Sequence, residues 1–368
     1  MDTTTLAYRI LEFTGISGEV SPDTLCQLSA SKSYAEKVIT SLKEQKLLRL
    51  HYKDKLRGLR LTQKGKKTLL AVNASRFQFF LTGNSDTNQP RSAYSRRLRL
   101  HQSAAVYLSM LQANICIFRD EKPLLFEPGI PPPSHLSGPS FYHSRELKSL
   151  GTETIKINNS RAMGVLLTSD SVYVIYYTGD HVLKWDYKTE VKLRTLLTHH
   201  LRSGVLSSLY MPSLPVKALI LGSNMNIAFQ LMTGIGGSKE RYFYLDQSYE
   251  YFHYLPNDKI SSRLLKFISD PVLPQKLREL LLSDLSSPDL QCSIPHDAKT
   301  ADGKLVLLGY DFDMLRIKQF MTGISLWDMS GDLICFDFQK DILSKMSTAS
   351  VTLTTIDFTK FERRFFPV

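Results

Sequence analysis

The chain has 368 residues, of which 43% are hydrophobic and 22% are charged, and its formal net charge is +11. This composition excludes a disordered chain, and no segment approaches the roughly 18 consecutive apolar residues of a membrane helix. The first residues lack the basic and apolar runs of a signal peptide, and the four cysteines show no CxxC spacing. The sequence therefore predicts a cytoplasmic protein of two or three domains that does not associate with membranes.

The positive charge is concentrated in the first part of the chain. Residues 1–100 contain 18 Lys and Arg against 8 Asp and Glu, a net charge of +10, whereas residues 101–368 contain 28 against 27. Charge confined to one region indicates that this region meets a polyanion, and double-stranded DNA is the polyanion we expect.

Residues 1–75 combine helical and strand patterns in a definite order. Helical spacing predicts a first helix over residues 4–14, and Ser21-Pro22 predicts the start of a short second helix. Residues 33–36 have the spacing of a capping box and predict a third helix. A hairpin with a basic turn and a fourth helix capped by Thr62 follow. This order resembles the winged helix family, whose third helix enters the major groove, so we expect residues 1–75 to bind DNA on their own.

The expected DNA contacts lie on the third helix, on the hairpin and on the segment that follows. Small, polar and basic residues at the start of the helix would reach the groove, and the hairpin cations would reach phosphates. Residues 76–100 contain turn formers and then arginines, and they predict a basic linker that extends this surface. The expected DNA-binding residues are Lys32, Ser33, Tyr34, Lys37, Lys53, Lys55, Arg57, Arg60, Arg96 and Arg97.

Beyond residue 100 strand and helix patterns alternate, which predicts an α/β region with parallel or mixed sheets. We divide it into a domain over residues 101–205 and a second α/β region over residues 206–368. Because this part is nearly neutral and contains many aromatic residues, notably between Tyr242 and Tyr254, we expect it to contact protein rather than DNA.

Two sets of residues are weak candidates for catalysis. Asp170, Glu190 and Lys192 have the order of a PD-(D/E)xK nuclease, in which carboxylates hold a metal ion and the lysine positions water. Residues 189–197 have helical spacing, however, so Glu190 and Lys192 would point apart. Asp311 and Asp313 follow a strand, where they would either bind a metal or cap the next helix. We therefore predict no catalytic residue, no metal and no cofactor.

The arrangement of a winged helix, an arginine-rich helix and an α/β region resembles the replication-relaxation family of bacterial plasmids and conjugative elements. The segments that carry the resemblance are residues 60–65 and 97–101. The resemblance covers about residues 6–201, and it implies a restriction-endonuclease-like second domain without an intact metal site. It also implies a relaxase or another transfer or replication protein as a partner, besides a homodimer.

The sequence favours a DNA-binding accessory protein that acts in plasmid replication or relaxation, or in conjugative transfer. One alternative is a winged helix transcriptional regulator whose α/β part senses a ligand or a partner. The other is a metal-dependent DNA nuclease or nickase, which would make the protein an enzyme.

Overall fold

The computed structural model describes residues 2–127, 129–149, 160–234 and 242–367. The chain divides into two compact units. The N-terminal unit comprises Met1–Gln112 and Cys116–Pro123, and the C-terminal unit comprises Ala113–Ile115 and Leu124–Val368.

The N-terminal unit consists of helices and a hairpin, as the sequence predicts for its first 75 residues. The helices begin at side-chain caps: the hydroxyls of Ser21, Ser31 and Thr62 accept hydrogen bonds from the main-chain NH groups of Thr24, Tyr34 and Gly65. The elements are α1 (Leu6–Ser17), α2 (Pro22–Cys26), α3 (Lys32–Glu44), β1 (Leu48–Lys53), β2 (Leu56–Leu61), α4 (Gln63–Val72), α5 (Ala74–Leu81) and α6 (Tyr94–Gln112).

Strands β1 and β2 form an antiparallel hairpin in which Leu48 lies opposite Leu61 and Lys53 lies opposite Leu56. Its loop is only Asp54-Lys55, and both residues have positive φ angles, of 53° and 59°. Two positive φ angles in a two-residue loop are typical of a type I′ turn, whose twist matches that of the strands. Lys53 is the last residue of β1 and Arg57 is the second residue of β2, so both lie beside the turn.

The predicted linker over residues 76–100 is wrong, because these residues belong to the folded N-terminal unit. Helix α5 buries Phe77 and Phe80. The turn formers after it bond to one another: the Asn88 side-chain amide donates to Gly83 O at 2.8 Å, and its main-chain NH donates to Ser85 Oγ at 3.1 Å. Residues 83–88, whose composition suggests a flexible linker, thus form a loop that is closed by hydrogen bonds.

Residues 116–123 return to the N-terminal unit through a network of ion pairs. The Arg76 side chain on α5 donates to Asp120 at 2.7 Å and also pairs with Glu12 and Glu121. These contacts explain why the short segment groups with the helices before it.

The C-terminal unit is a mixed α/β assembly, as expected. One sheet has the order β3-β4-β5-β6-β7, with antiparallel pairing of β3, β4 and β5 and parallel pairing of β5, β6 and β7. Its strands are β3 (Ser140–His143), β4 (Gly164–Leu167), β5 (Val172–Gly179), β6 (Val216–Gly222) and β7 (Phe252–Pro256).

A second sheet has the order β11-β10-β9-β8, in which β9, β10 and β11 are parallel and β8 is antiparallel to β9. Its strands are β8 (Ala298–Lys299), β9 (Leu305–Leu308), β10 (Gly331–Phe336) and β11 (Val351–Ile356). The helices of the unit are α7 (Tyr187–Ser203), α8 (Met225–Thr233), α9 (Lys259–Ser269), α10 (Leu273–Leu282), α11 (Met314–Leu326), α12 (Asp337–Ser344) and α13 (Phe358–Phe365).

The predicted domain boundary at residue 205 does not appear in this unit. Strands β5 and β6 lie on either side of it and pair in one sheet, with α7 as their crossover. Core residues from both sheets, such as Val174 and Leu333, also belong to one hydrophobic cluster. A parallel pair needs a long crossover, so the residues around 205 are part of a connection and not a linker.

The aromatic run between Tyr242 and Tyr254 is largely core. Phe243, Tyr249 and Phe252 are buried, and they pack edge to face around Trp185 and one another. Tyr244 is the exposed exception. Most of the aromatic side chains in this run therefore belong to the core.

Candidate nucleic-acid interface

Helix α3 presents its predicted contact residues to solvent. Lys32, Ser33, Tyr34 and Lys37 are all exposed, and 55% of the Tyr34 surface is accessible. The apolar positions Ala35, Ile39 and Leu42 of the same helix are buried. The Lys32 ammonium lies 3.8 Å from the Asp23 carboxylate, but both side chains are largely exposed, so this weak pair leaves Lys32 available.

The hairpin presents a second group of cations beside its turn. Lys53, Lys55 and Arg57 are exposed, and none of them forms an ion pair within the described part of the chain. Tyr52 lies opposite Arg57 and is 65% exposed. The sequence analysis did not single out Tyr52, although an aromatic residue next to a cation at a strand end was the available signal.

Arg60 and Arg97 do not belong to this surface, and their prediction as DNA contacts is wrong. The Arg97 side chain is fully buried, and that of Arg60 is 5% exposed. Both guanidinium groups bind the buried Glu19 carboxylate, with shortest distances of 2.7 Å for Arg97 and 2.6 Å for Arg60. Both guanidinium groups are therefore engaged inside the unit and do not face solvent.

The Glu19 carboxylate is held ionised by its neighbours. Burial opposes its ionisation, but hydrogen bonds from His101, Arg97 and Arg60 outweigh burial and lower the pKa of Glu19 to about 2. Gly58 on β2 allows the carboxylate to approach the hairpin, since a Cβ atom at this position would overlap the Glu19 side chain.

Arg97 also fixes the hairpin directly. Its guanidinium donates to the main-chain oxygens of Lys53 at 2.7 Å, Leu56 at 2.8 Å and His51 at 3.1 Å. These oxygens flank the turn that carries Lys55. Helix α6 thereby holds the cationic end of the hairpin in one position, through a residue that the sequence analysis assigned to DNA.

Arg96, the neighbour of Arg97, is exposed as predicted. Its guanidinium lies 3.6 Å from the Asp86 carboxylate in a solvent-exposed pair. Such a pair is weak, so Arg96 remains available to a stronger anion.

The proposed nuclease residues are not brought together. Glu190 and Lys192 lie on α7, as their spacing predicts, with Glu190 buried and Lys192 exposed. The Glu190 carboxylate accepts hydrogen bonds from Tyr176 Oη at 2.7 Å, Ser160 Oγ at 2.9 Å and the Arg161 main-chain NH at 3.0 Å. Burial raises the pKa of Glu190 despite these bonds. Glu190 thus links α7 to its surroundings.

The remaining acidic candidates have local structural roles. Asp170 accepts a hydrogen bond from Thr168 Oγ1 at 2.9 Å in the turn between β4 and β5. Asp313 caps α11 by accepting from the main-chain NH groups of Leu315 and Arg316, and it also accepts from that of Phe252. Asp311 lies 3.6 Å from the His253 ring. Within the described residues no group of three or more His, Cys, Asp or Glu side chains could hold a metal ion.

Comparisons with models of protein families, with curated proteins and with solved structures find no match to this chain. No helix in the described ranges is both long and apolar enough to cross a membrane.

Proposed function

We propose that this chain binds double-stranded DNA through its N-terminal unit in the manner of a winged helix protein. Helix α3 would enter the major groove with Lys32, Ser33, Tyr34 and Lys37, and the hairpin would lie along the phosphates with Lys53, Lys55 and Arg57. The observation that carries the proposal is the set of exposed cations on α3 and on a hairpin whose position is fixed by buried bonds.

The charge distribution supports this function. In the described part of the chain Lys53, Lys55 and Arg57 form no ion pair with a carboxylate, so these three cations of the hairpin are available to phosphate. The buried Glu19 carboxylate pairs with Arg60 and Arg97, and not with the exposed cations of α3 and of the hairpin turn. A positive surface of this kind attracts DNA at long range and makes binding dependent on salt.

The biological setting that we propose is plasmid replication or conjugative transfer, where the protein would act as an accessory factor beside a relaxase. It rests on the sequence resemblance. Mapping the bound sites on plasmid and chromosomal DNA distinguishes it from gene regulation: we expect binding at a replication or transfer origin, whereas binding at promoter palindromes would favour a transcriptional regulator.

Fluorescence anisotropy with labelled duplex DNA and the full chain tests the binding itself. With about six phosphate contacts, we expect the affinity to fall roughly a thousandfold between 50 mM and 200 mM salt. Replacing Lys55 by Gln should weaken binding and reduce the slope of log affinity against log salt by about one unit.

Lys188→Gln is the matched control, because Lys188 is an exposed lysine on α7 in the other unit. It should bind DNA as the unmodified chain does. Equal losses in the two variants, or an affinity that does not depend on salt, would contradict the proposal.

A further inference from the structure

A cleft of about 330 Å³ opens at the base of the hairpin, away from the turn that carries Lys55. Its walls come from the strands, from the first turn of α4 and from the loop before α6. This volume lies at the lower end of the range for small-ligand sites, which is about 300 to 1,000 Å³. All the residues that line the cleft belong to the N-terminal unit.

The charge that lines the cleft is positive. Arg49, Arg60 and Lys66 are lining residues, and no acidic residue is among them. The Arg60 guanidinium is paired with the Glu19 carboxylate. Arg49 and Lys66 repel each other, and burial together with this repulsion lowers the pKa of Lys66. An anion placed between them would remove that repulsion.

The cleft also holds polar donors that are not used by the protein. In the ranges that the structure describes, the side chains of Arg49, Gln63 and Gln89 have no hydrogen bond or ion pair. The Lys66 ammonium donates to the main-chain and side-chain oxygens of Asn88, the latter at 2.8 Å, and retains a third NH. The two bonds to Asn88 therefore hold the Lys66 ammonium in place, and its third NH can donate to a ligand.

We infer that this cleft binds a phosphate group, with Arg49 and Lys66 as its charged ligands and Gln63 and Gln89 as neutral donors. A guanidinium matches two phosphate oxygens at once, and an ammonium adds a point charge beside them. The group is carried either by a small phosphorylated ligand or by the DNA backbone. None of the proposed DNA contacts lines the cleft, so phosphate binding there can be tested whether or not the chain binds DNA.

Isothermal titration calorimetry of the full chain with pyrophosphate tests the site. We expect saturable binding at one site in the unmodified protein. Arg49→Gln should weaken it roughly tenfold or more, because a charge-assisted contact is lost. The Arg49 side chain is exposed and forms no hydrogen bond or ion pair in the described ranges, and the substitution keeps the main chain of β1, so this variant should unfold at the same temperature as the unmodified chain.

Lys67→Gln is the matched control, since Lys67 follows Lys66 on α4, is exposed and does not line the cleft. It removes the same charge and should bind pyrophosphate normally. Absence of saturable binding, or equal affinity in Arg49→Gln and the unmodified protein, would overturn the inference.

Competition with labelled duplex DNA identifies the source of the phosphate. If the DNA backbone occupies the cleft, pyrophosphate displaces the duplex and Arg49→Gln weakens both ligands. If a small ligand occupies it, pyrophosphate leaves the duplex affinity unchanged. If the chain binds pyrophosphate in a way that depends on Arg49 but binds no duplex DNA, the phosphate site is supported and the proposed function is refuted.

Discussion

Glu19 is the residue on which the electrostatics of the N-terminal unit depend. It is buried, and it faces Arg60 on β2 and both Arg97 and His101 on α6. Removing one partner of a buried charge lowers the free energy of unfolding by several kcal/mol, because the remaining charge is then buried without compensation. In the sequence Glu19 is a single acidic residue beside Gly18 and Val20. Its partners Arg60 and Arg97 lie 41 and 78 residues away, so no local pattern predicts these contacts.

The low pKa of Glu19 predicts a defined loss of stability in acid. Because its pKa is about 2 in the folded chain against an ordinary value of 4.5, the unfolded chain binds this proton more readily. The stabilisation, about 3 kcal/mol, is complete above roughly pH 4.5 and is lost as the pH falls towards 2. Urea denaturation across this range should show the loss in the unmodified chain.

Glu19→Gln is the comparison for that titration. It should be less stable at neutral pH, and its stability should change less between pH 4.5 and pH 2. Parallel pH profiles for the two proteins would show that Glu19 is not ionised in the way its contacts indicate.

At the scale of elements, features that depend on neighbouring residues could be predicted from the sequence, whereas features that depend on contacts between distant residues could not. The caps at Ser21 and Thr62 could be predicted because each cap hydroxyl and the main-chain NH group that donates to it are three residues apart. The sequence predicts a basic linker over residues 76–100, which include the start of α6, and it predicts both Arg96 and Arg97 as DNA contacts. The two arginines are indistinguishable in sequence, yet Arg96 faces solvent and Arg97 holds the hairpin. Burial, which separates them, is a property of the folded unit.

These two neighbours give a matched test of the bond between α6 and the hairpin. Arg97→Met should reduce the free energy of unfolding by about 3 kcal/mol, because it removes a partner of the buried Glu19 and frees three main-chain oxygens. Arg96→Met should change it by less than about 0.5 kcal/mol. Urea denaturation at neutral pH measures both, and similar losses in the two variants would refute the assigned role of Arg97.

At the scale of the whole molecule, the α/β class was predictable from alternating strand and helix patterns, but the extent of the N-terminal unit was not. The sequence places its end at residue 75, and the structure extends it through Gln112 and adds Cys116–Pro123. The sequence pattern of the winged helix ends near residue 75, and turn-forming residues follow it, so the composition suggests a boundary there. The contacts of Phe77, Arg97 and Asp120 with earlier residues carry the unit further.

The extent of this unit predicts which fragment folds. Residues 1–75 alone lack Arg97, His101 and the buried aromatic residues of α5, so they should not fold cooperatively, contrary to the expectation from the sequence. Residues 1–123 include these contacts and should show a cooperative thermal transition by circular dichroism. A fragment of residues 1–75 that melts at the same temperature as residues 1–123 would contradict this.

The hydrogen bonds from Arg97 to the hairpin have a thermodynamic consequence. Because the main chain beside the turn is already ordered in the free protein, its conformational entropy is lost during folding and not during association. An anionic partner that meets this hairpin orders little additional chain. The heat capacity change of association should then reflect only the apolar area that the partner covers, with no contribution from a segment that folds upon binding.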